Sequence, residues 1–302
     1  MRSTPAALAV AVLLFTAGAA SGQAADSPLR IVTFNLYHGG QWSGLRGDDT
    51  QLERRFEMTV QALQALRPDI VGLQEASETR GRGNVAARLA RRLGLHHVHV
   101  PATDRAFGFR PLGWLITRLI NFREGPAILS RFPIVRHEMH DLRGCRRVLD
   151  PRVLLRADVL TPDGELQVYS THTSRDDCQL EHLASLVREG RNGRPAILTG
   201  DFNSVETSPA IQALVNGGGF VDAFRRARPD EVGATVWQPL DAPFPAASRR
   251  VDYVFVLDGP DVTARVGDSR VVLDQPQRFP DGRTLWPSDH YGVLADVVLA
   301  RR

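Results

Sequence analysis

Polar side chains follow a short apolar segment in the stretch "AILTGDFNS", residues 196–204. The first four residues are typical of a buried strand, and Asp201 and Asn203 come directly after them, on either side of Phe202. An apolar core needs neither a carboxylate nor an amide. Binding and catalytic groups on β scaffolds gather at strand ends, where a rigid frame holds them at the surface of the core. The stretch therefore predicts one corner of a functional site.

The same arrangement recurs at other apolar segments. Taken singly, each instance has an ordinary explanation: an Asp-x-Asn loop forms an Asx turn, a glutamate is solvated, and a histidine is hydrogen-bonded within the structure. Recurrence at successive strand ends favours one common site. The residues concerned are Asn35 after "LRIVTF", Glu75 in "GLQEAS", His172 in "YSTHTS", Asp252 before "YVFV", and Asp289 and His290 in "PSDHYG".

The segments that must position these residues are a mixture of strands and helices. The first predicted helix, at 48–69, carries a capping box of Thr50 and Glu53 and ends at Pro68. Residues 101–122 are expected to be irregular. Strands are predicted at 29–40, 69–77, 96–100, 125–130, 132–140, 151–160, 165–174, 194–204, 249–259 and 289–300, and further helices at 84–95, 177–190 and 208–218. This mixture predicts sheets with helices packed outside them, in one domain over residues 27–302.

The N-terminus has the order of a secretory signal. Arg2 is followed by an apolar run and then by small residues, which predicts a signal peptide over residues 1–25 and a secreted or periplasmic protein. An uncleaved anchor is the alternative. The apolar run is short for a bilayer span and no second span follows, so no integral membrane segment is expected after processing.

The composition of the 302-residue chain is that of an ordinary globular protein. All 37 basic residues are arginines, and they are scattered along the sequence. A dedicated nucleic-acid binder concentrates its positive charge in a patch or stripe. The composition therefore does not indicate such a binder, although it leaves nucleic acid open as a substrate.

The segments "TFNLYHG", "PDIVGLQEAS", "EGPAILSRFPI", "STHTS", "LTGDFNS", "RRVDYVFV" and "PSDHYGVLADV" follow one another in a distinctive order. In this order the chain resembles the endonuclease/exonuclease/phosphatase superfamily, which includes deoxyribonuclease I, bacterial sphingomyelinases and exonuclease III-like enzymes. The resemblance covers nearly the whole chain after residue 25. It implies an α/β fold: a four-layer α/β/β/α sandwich, with two mixed β-sheets face to face and helices outside.

The resemblance also implies roles for the polar residues. Glu75 resembles the main metal ligand, with Asn35 and Asp289 beside it. Asp201 resembles the carboxylate that orients or deprotonates water, and Asn203 its phosphate-holding partner. The two histidines that flank the phosphate, and the carboxylate behind each, are implied to be His172 with Glu124, and His290 with Asp252.

Elementary chemistry agrees with these implied roles. Mg²⁺ prefers hard oxygen ligands and is typically held by one or two carboxylates, with Mn²⁺ or Ca²⁺ as alternatives here. Phosphoryl transfer depends on positioning and charge stabilisation, which a metal ion and two imidazolium groups would supply. The sequence thus predicts a metal-dependent phosphodiesterase that hydrolyses its substrate by water attack.

The substrate stays open at this level. A phospholipid such as sphingomyelin, a nucleic acid, and a soluble phosphomonoester or inositol phosphate are alternatives, and a secreted binding protein without activity is another. The apolar stretch at 104–122 is expected to form a lip beside the site and to influence substrate choice, or else to pack as an ordinary connection. A peripheral membrane or nucleic-acid contact and a monomeric state are also expected.

The two cysteines, Cys145 and Cys178, are expected to form a disulfide, which export would permit. A hairpin turning about Asp163-Gly164 would place Cys178 opposite Leu149. The two cysteines can then bond only if the chain between them departs from regular strand pairing. A pair of buried free thiols is the alternative.

Overall fold

The computed structural model describes residues 28–37, 50–104, 110–142, 151–175 and 177–302. The predicted signal peptide, residues 1–25, lies outside these ranges. Among the described residues, no helix has the length and apolar character needed to cross a membrane.

The first sheet contains seven strands, numbered along the chain. Strand β1 pairs in parallel with β2, and the other neighbours pair in antiparallel fashion, so the sheet is mixed. The order is β12 (Val262–Val272), β15 (Gly292–Arg301), β1 (Leu29–Asn35), β2 (Ile70–Thr79), β5 (Arg123–Ser130) and β4 (His96–His99), with β3 (Gly83–Asn84) paired to β2.

The second sheet contains six strands and is also mixed, because β8 and β9 are parallel and their neighbours are antiparallel. Its order is β10 (Val221–Asp222), β11 (Asp252–Leu257), β9 (Ala196–Asp201), β8 (Gly164–His172), β7 (Val153–Thr161) and β6 (Ile134–Asp141). A small separate ribbon pairs β13 (Gln277–Arg278) with β14 (Thr284–Leu285).

The two sheets pack face to face over a buried aliphatic core. Alternate residues of β1 point to opposite faces of the sheet. Ile31 packs between the two sheets, whereas Val32 packs against the outer helices. A strand buried on both faces reads as a continuous apolar run, as this one does. At Gly72 the sheets approach so closely that a Cβ atom would lie 1.9 Å from the Thr199 hydroxyl.

Helices cover both outer faces. Helices α1 (Leu52–Leu66) and α2 (Val85–Leu93) pack on the first sheet through residues such as Val60 and Leu89. Helices α4 (Asp177–Gly190) and α5 (Pro209–Gly217) pack on the second through residues such as Leu183 and Leu214. The fold is therefore the predicted four-layer α/β/β/α sandwich. The remaining helices are α3 (Arg110–Leu119) and α6 (Ala223–Ala227).

Three local predictions were wrong. Helix α1 has no capping box, because Gln51 is its N-cap and makes no side-chain cap, while the Thr50 hydroxyl accepts a hydrogen bond from Arg55. Residues 110–119, expected to be irregular, form α3. The hairpin turns one residue earlier than predicted, since Thr161 pairs with Gly164, and Leu154 lies opposite Thr171 instead of Thr173.

The predicted position of Cys178 on an extension of β8 was wrong, because Cys178 lies in the first turn of α4. Cys178 is disulfide-bonded. Cys145 lies outside the described residues, so its predicted pairing with Cys178 stays a prediction.

Candidate active site

Strand pairing brings the polar residues of both sheets to one edge of the sandwich. Asn35 and His172 each end a strand, and each of these strands runs parallel to a neighbour. In the second sheet Asp201 lies opposite both His172 and Asp252. Because the carboxyl ends of parallel strands meet at the same sheet edge, the residues that follow them converge.

Glu75 reaches this edge through an irregularity in β2. The pairing of β2 with β5 shifts between Leu73 and Ala76, and Glu75 has a left-handed φ of 51°. A β-bulge re-aims a side chain and is common beside active sites. The backbone just after it is held in place, because the His99 ring nitrogen Nε2 bonds to the carbonyl of Ala76 at 2.9 Å.

The Asn35 side chain joins the two sheets. Its amide Nδ2 donates to Glu75 Oε1 at 3.2 Å and to Asp201 Oδ2 at 3.0 Å. Its Oδ1 accepts from the backbone N–H of Tyr37 at 3.0 Å, which fixes the orientation of the amide. Asn35 therefore holds one carboxylate from each sheet at a fixed separation.

Asp201, Asn203 and His172 form a second connected group. The Asn203 backbone N–H donates to Asp201 Oδ1 at 2.8 Å, so the Asx turn considered as an alternative is present within the site. The Asn203 amide donates to the carbonyl of Thr173 at 2.9 Å and lies 3.0 Å from His172 Nε2. An amide N–H₂ only donates, so this contact favours an unprotonated Nε2 on His172, whereas the Asp201 carboxylate at 3.3 Å favours a proton there.

Burial and nearby charges favour the neutral form of His172. Burial lowers its pKa well below the ordinary value, and the positive charges of Arg152 and His290 lower it further. Its Nδ1 lies 3.9 Å from Glu75 Oε1 and its Nε2 lies 3.3 Å from Asp201 Oδ2. The expected imidazolium at His172 stays a prediction.

His290 is the charged histidine. Its Nδ1 lies 2.9 Å from Asp252 Oδ2, and its Nε2 lies 3.7 Å from Asp201 Oδ2. Burial acts to lower the pKa of His290, but the carboxylates of Asp252 and Asp201 outweigh it and raise the pKa to about 10. The predicted contact between Asp252 and His290 is present in the structure.

Three carboxyl groups at this edge have raised pKa values. Burial raises the pKa of Glu75. Burial raises the pKa of Asp201 to about 6. The charge of Asp252 adds to this effect, and the charge of His290 opposes it. Burial, together with the charges of Glu75 and Asp201, raises the pKa of Asp289 to about 6. Burial is the largest cause at all three groups, and a divalent cation would favour their ionised forms.

The donor set fits such a cation best at Glu75 and Asp289, which offer the hard oxygen atoms that Mg²⁺ prefers. The Asn35 amide presents its N–H₂ group to Glu75, so its predicted role as a metal ligand stays a prediction. Asp201, Asp252 and His290 also place ligand atoms within 4.8 Å of one another. His290 lies between two carboxylates as an imidazolium, however, and an imidazolium has no lone pair for a metal. Among the described residues, the buried Oδ1 of Asp252 finds no hydrogen-bond partner.

Glu124 occupies the wall of the same site. It lines a pocket together with Glu75 and His172, and its backbone N–H is held by the Thr103 hydroxyl at 3.0 Å. The His172 contacts described above run to Glu75, Asp201 and Asn203, so the role of Glu124 behind His172 stays a prediction.

Two residues at the site carried no sequence signal that singled them out. Arg152 lines the pocket with Glu75 and His172, but one arginine among many scattered arginines has no distinguishing pattern. Trp237 is 59% exposed, and its neighbour Gln238 donates a backbone hydrogen bond to the carbonyl of Asp289 at 2.8 Å. Only the tertiary structure places both beside the predicted residues.

The fold and the clustered acids, amides and histidines define a phosphoesterase-type or nuclease-type scaffold. The sequence profile of the Endonuclease/Exonuclease/phosphatase family matches residues 32–290, and the chain belongs to this family. No match is found among curated proteins.

Solved structures share the fold. A family protein from Bacteroides thetaiotaomicron is 22% identical with a TM-score of 0.68, covering 90% of this chain and 98% of its own. A mannosyl-6-phosphatase from the same organism is 22% identical with a TM-score of 0.67, covering 89% and 99%. The human Nocturnin catalytic domain, with a bound sulfate anion, is 18% identical with a TM-score of 0.64, covering 91% and 94%.

Proposed function

We propose that this protein is an exported, metal-dependent phosphodiesterase that acts as a monomer and hydrolyses a phospholipid or nucleic-acid phosphodiester by direct attack of water. The observation that carries the proposal is the joining of two unlike groups at one edge of the sandwich. One is the Asp252–His290 pair, and the other is the carboxylate pair of Glu75 and Asp201 bridged by Asn35.

Asp201 is placed to act on the attacking water. Burial raises its pKa to about 6, which brings its basicity closer to that needed for proton transfer near neutral pH. Hydrogen bonds from Asn35 and Asn203 fix both of its oxygens. In the proposed reaction the water oxygen bonds to phosphorus, its proton passes to Asp201, and the ester oxygen departs with the bonding electrons.

His290 supplies fixed positive charge to the phosphate oxygens as negative charge builds on them. It carries its proton over the working pH range because its pKa is raised to about 10. Asn203 and neutral His172 supply hydrogen-bonding groups on the other side. A divalent ion held by Glu75 and Asp289, with Asn35 bridging Glu75 to Asp201, would add charge stabilisation to the phosphate.

Hydrolysis of bis-p-nitrophenyl phosphate tests the proposal. We expect turnover with Mg²⁺, loss of turnover in excess EDTA, and a sharply higher metal requirement for Glu75→Gln. We expect Asp201→Asn to lower turnover by about 10²–10⁴-fold, the range of general acid–base contributions. Glu231→Gln, at a carboxylate that is 64% exposed, is the matched control and should behave as the wild type.

Full activity in EDTA would refute the metal requirement. Absence of activity with every metal tested would favour the alternative of a secreted binding protein on the same fold. A panel of plasmid DNA, sphingomyelin vesicles, inositol phosphates and sugar phosphates then separates the substrate classes. The sugar phosphates test the phosphomonoesterase alternative, since one structural neighbour is a mannosyl-6-phosphatase.

A further inference from the structure

Helix α3 exposes most of its large apolar side chains, which is unusual for a helix that only packs on a core. Its small and polar residues Gly113 and Thr117 are buried and Ile116 is half-buried, whereas its other large apolar residues face outward. A helix that packs on a core normally buries its apolar stripe. The exposed apolar residues and their exposed fractions are Leu112 at 42%, Trp114 at 47%, Leu115 at 48% and Leu119 at 68%.

These side chains form one continuous surface. Residues at positions i, i+3 and i+7 lie on the same helix face, which places Leu112, Leu115 and Leu119 in a row. Trp114 lies beside the row, and the Arg118 guanidinium lies 4.9 Å from its ring centroid. At 1.5 Å per residue, the row from Leu112 to Leu119 extends over about 10 Å.

The charge beside the row is mainly positive. Arg118 lies next to Trp114, and the Arg80 guanidinium donates to the carbonyl of Arg118 at 2.7 Å. Arg123 is neutralised by Asp104 and Glu78. An aliphatic row flanked by arginines and a tryptophan matches the interface of an anionic bilayer, where apolar side chains enter the acyl region and arginines meet the headgroups. Nucleic acid fits less well, because the leucine side chains offer neither stacking surface nor hydrogen bonds.

The helix is tied firmly to the wall of the active site. The Thr117 hydroxyl donates to Asp104 Oδ1 at 3.1 Å, and Arg123 Nε donates to the same oxygen at 3.0 Å. Phe122 lines both the cleft below Trp114 and the pocket that contains Glu75 and His172. A surface bound by α3 would therefore lie beside the opening of the site.

We propose that the exposed face of α3, formed by Leu112, Trp114, Leu115 and Leu119 with Arg118, binds the surface of an anionic phospholipid bilayer. This inference concerns membrane attachment and does not depend on the proposed phosphodiesterase activity. Membrane binding by α3 is compatible with an enzyme that cleaves a lipid and with a membrane-bound enzyme that cleaves another substrate.

Cosedimentation of the protein with vesicles tests the inference. The probes are vesicles of phosphatidylglycerol with phosphatidylcholine, and vesicles of phosphatidylcholine alone. We expect stronger binding to the anionic vesicles and at least tenfold weaker binding for the double variant Leu115→Ser, Leu119→Ser. Arg118→Gln should weaken binding to the anionic vesicles by about fivefold, the effect of one basic residue near the surface.

The matched control is Val232→Ser, because Val232 is 70% exposed but lies away from α3, and it should bind as the wild type does. Circular dichroism and bis-p-nitrophenyl phosphate hydrolysis report folding separately from binding. If hydrolysis is absent from every form while binding follows this pattern, the proposed function fails and the inference stands.

Three outcomes would overturn the inference. The first is that the wild-type protein binds neither kind of vesicle. The second is equal binding by the wild type and the double variant. The third is a concentration-dependent dimer that the double variant abolishes, without vesicle binding, which would make the α3 face an interface between two copies.

Discussion

His99 and His290 are two histidines in different charge states: the half-buried His99 is neutral, and the buried His290 is protonated. Each makes a close side-chain contact through Nδ1: His99 with the Asn84 amide at 2.8 Å, and His290 with the Asp252 carboxylate at 2.9 Å. Burial is the largest effect at both and acts to lower the pKa. The pKa of His99 is about 4, whereas the pKa of His290 is about 10.

The difference shows that the partner, and not the extent of burial, decides the charge of these rings. The Asn84 Oδ1 caps α2 by accepting from the Ala87 N–H, so its N–H₂ must face His99. Nδ1 of His99 therefore accepts, and Nε2 donates to the carbonyl of Ala76. A carboxylate at the equivalent position stabilises the protonated ring instead. The closest side-chain contact of His172 is also an amide, and its pKa is lowered although Asp201 Oδ2 lies 3.3 Å from its Nε2.

The largest effect is expected from giving His290 an amide partner. In Asp252→Asn the imidazolium loses its main stabilising charge, and burial then favours the neutral ring. We expect turnover on bis-p-nitrophenyl phosphate to fall by about 10²–10⁴-fold at pH 7. The pKa of His290 should fall below its ordinary value, as measured by NMR titration of the ring in EDTA.

Asp222→Asn is a matched control for removing a buried aspartate from the same sheet, since Asp222 pairs with Arg250 and not with a histidine. It should affect stability more than turnover. A wild-type rate for Asp252→Asn, with normal circular dichroism, would show that the charge on His290 is not needed for catalysis.

A smaller effect is expected on stability at low pH, through His99. Its pKa is lowered from 6.5 to about 4 in the folded protein, so the unfolded chain binds a proton first as the pH falls. The contribution of His99 is fully present above pH 6.5 and is lost progressively between pH 6.5 and about 4. The loss approaches about 3 kcal/mol at 1.36 kcal/mol per pKa unit.

His99→Gln is the test, because glutamine cannot titrate but can donate to the Ala76 carbonyl and accept from Asn84. Urea unfolding at pH 7.5 and pH 5 gives the change in unfolding free energy for each protein. We expect a smaller loss at pH 5 in the variant than in the wild type. Equal losses would mean that His99 does not titrate between these pH values. Taking the difference between proteins removes the contribution of the active-site carboxylates.

The charge states of these histidines could not be predicted from the sequence, whereas several residues of the site could. Asn35, Asp201 and Asp252 were identifiable because a polar residue directly beside an apolar, strand-like run has no role in a core. The bulge at Glu75 was not identifiable, since its left-handed φ depends on the pairing of β2 with β5. Strand β12 was missed because "VTARVGDSRVV" mixes polar and apolar residues around another irregularity.

The orientation of helix α3 could not be predicted from the sequence either. Its leucines and tryptophan fit a helical period, but the pattern alone gives no reason to expect that the apolar face lies outward. That orientation is set by tertiary contacts of Thr117 and Asp104, which involve residues 13 positions apart. Contacts between side chains distant in sequence likewise decide which histidine is charged.

The smallest effect is expected from the converse exchange, which gives His99 a carboxylate partner. Asn84→Asp keeps the cap of α2, because aspartate is as good an N-cap residue as asparagine. The carboxylate should accept from Nδ1–H of a protonated ring, so the pKa of His99 should rise. The site is only partly buried, and solvent screens the pair. We therefore expect a gain of about 1 kcal/mol at pH 5 relative to the wild type, and little change at pH 7.5.

The double variant Asn84→Asp, His99→Gln separates this gain from a general effect of the added charge on the helix. An acidic residue at a helix N-terminus stabilises the helix dipole by itself, and that benefit should appear at both pH values. The part that depends on His99 should appear only at pH 5. If Asn84→Asp stabilises equally with and without His99, the partner does not set the charge of this ring. The contrast with His290 would then need another cause, such as the second carboxylate, Asp201, that faces His290 and has no counterpart among the described contacts of His99.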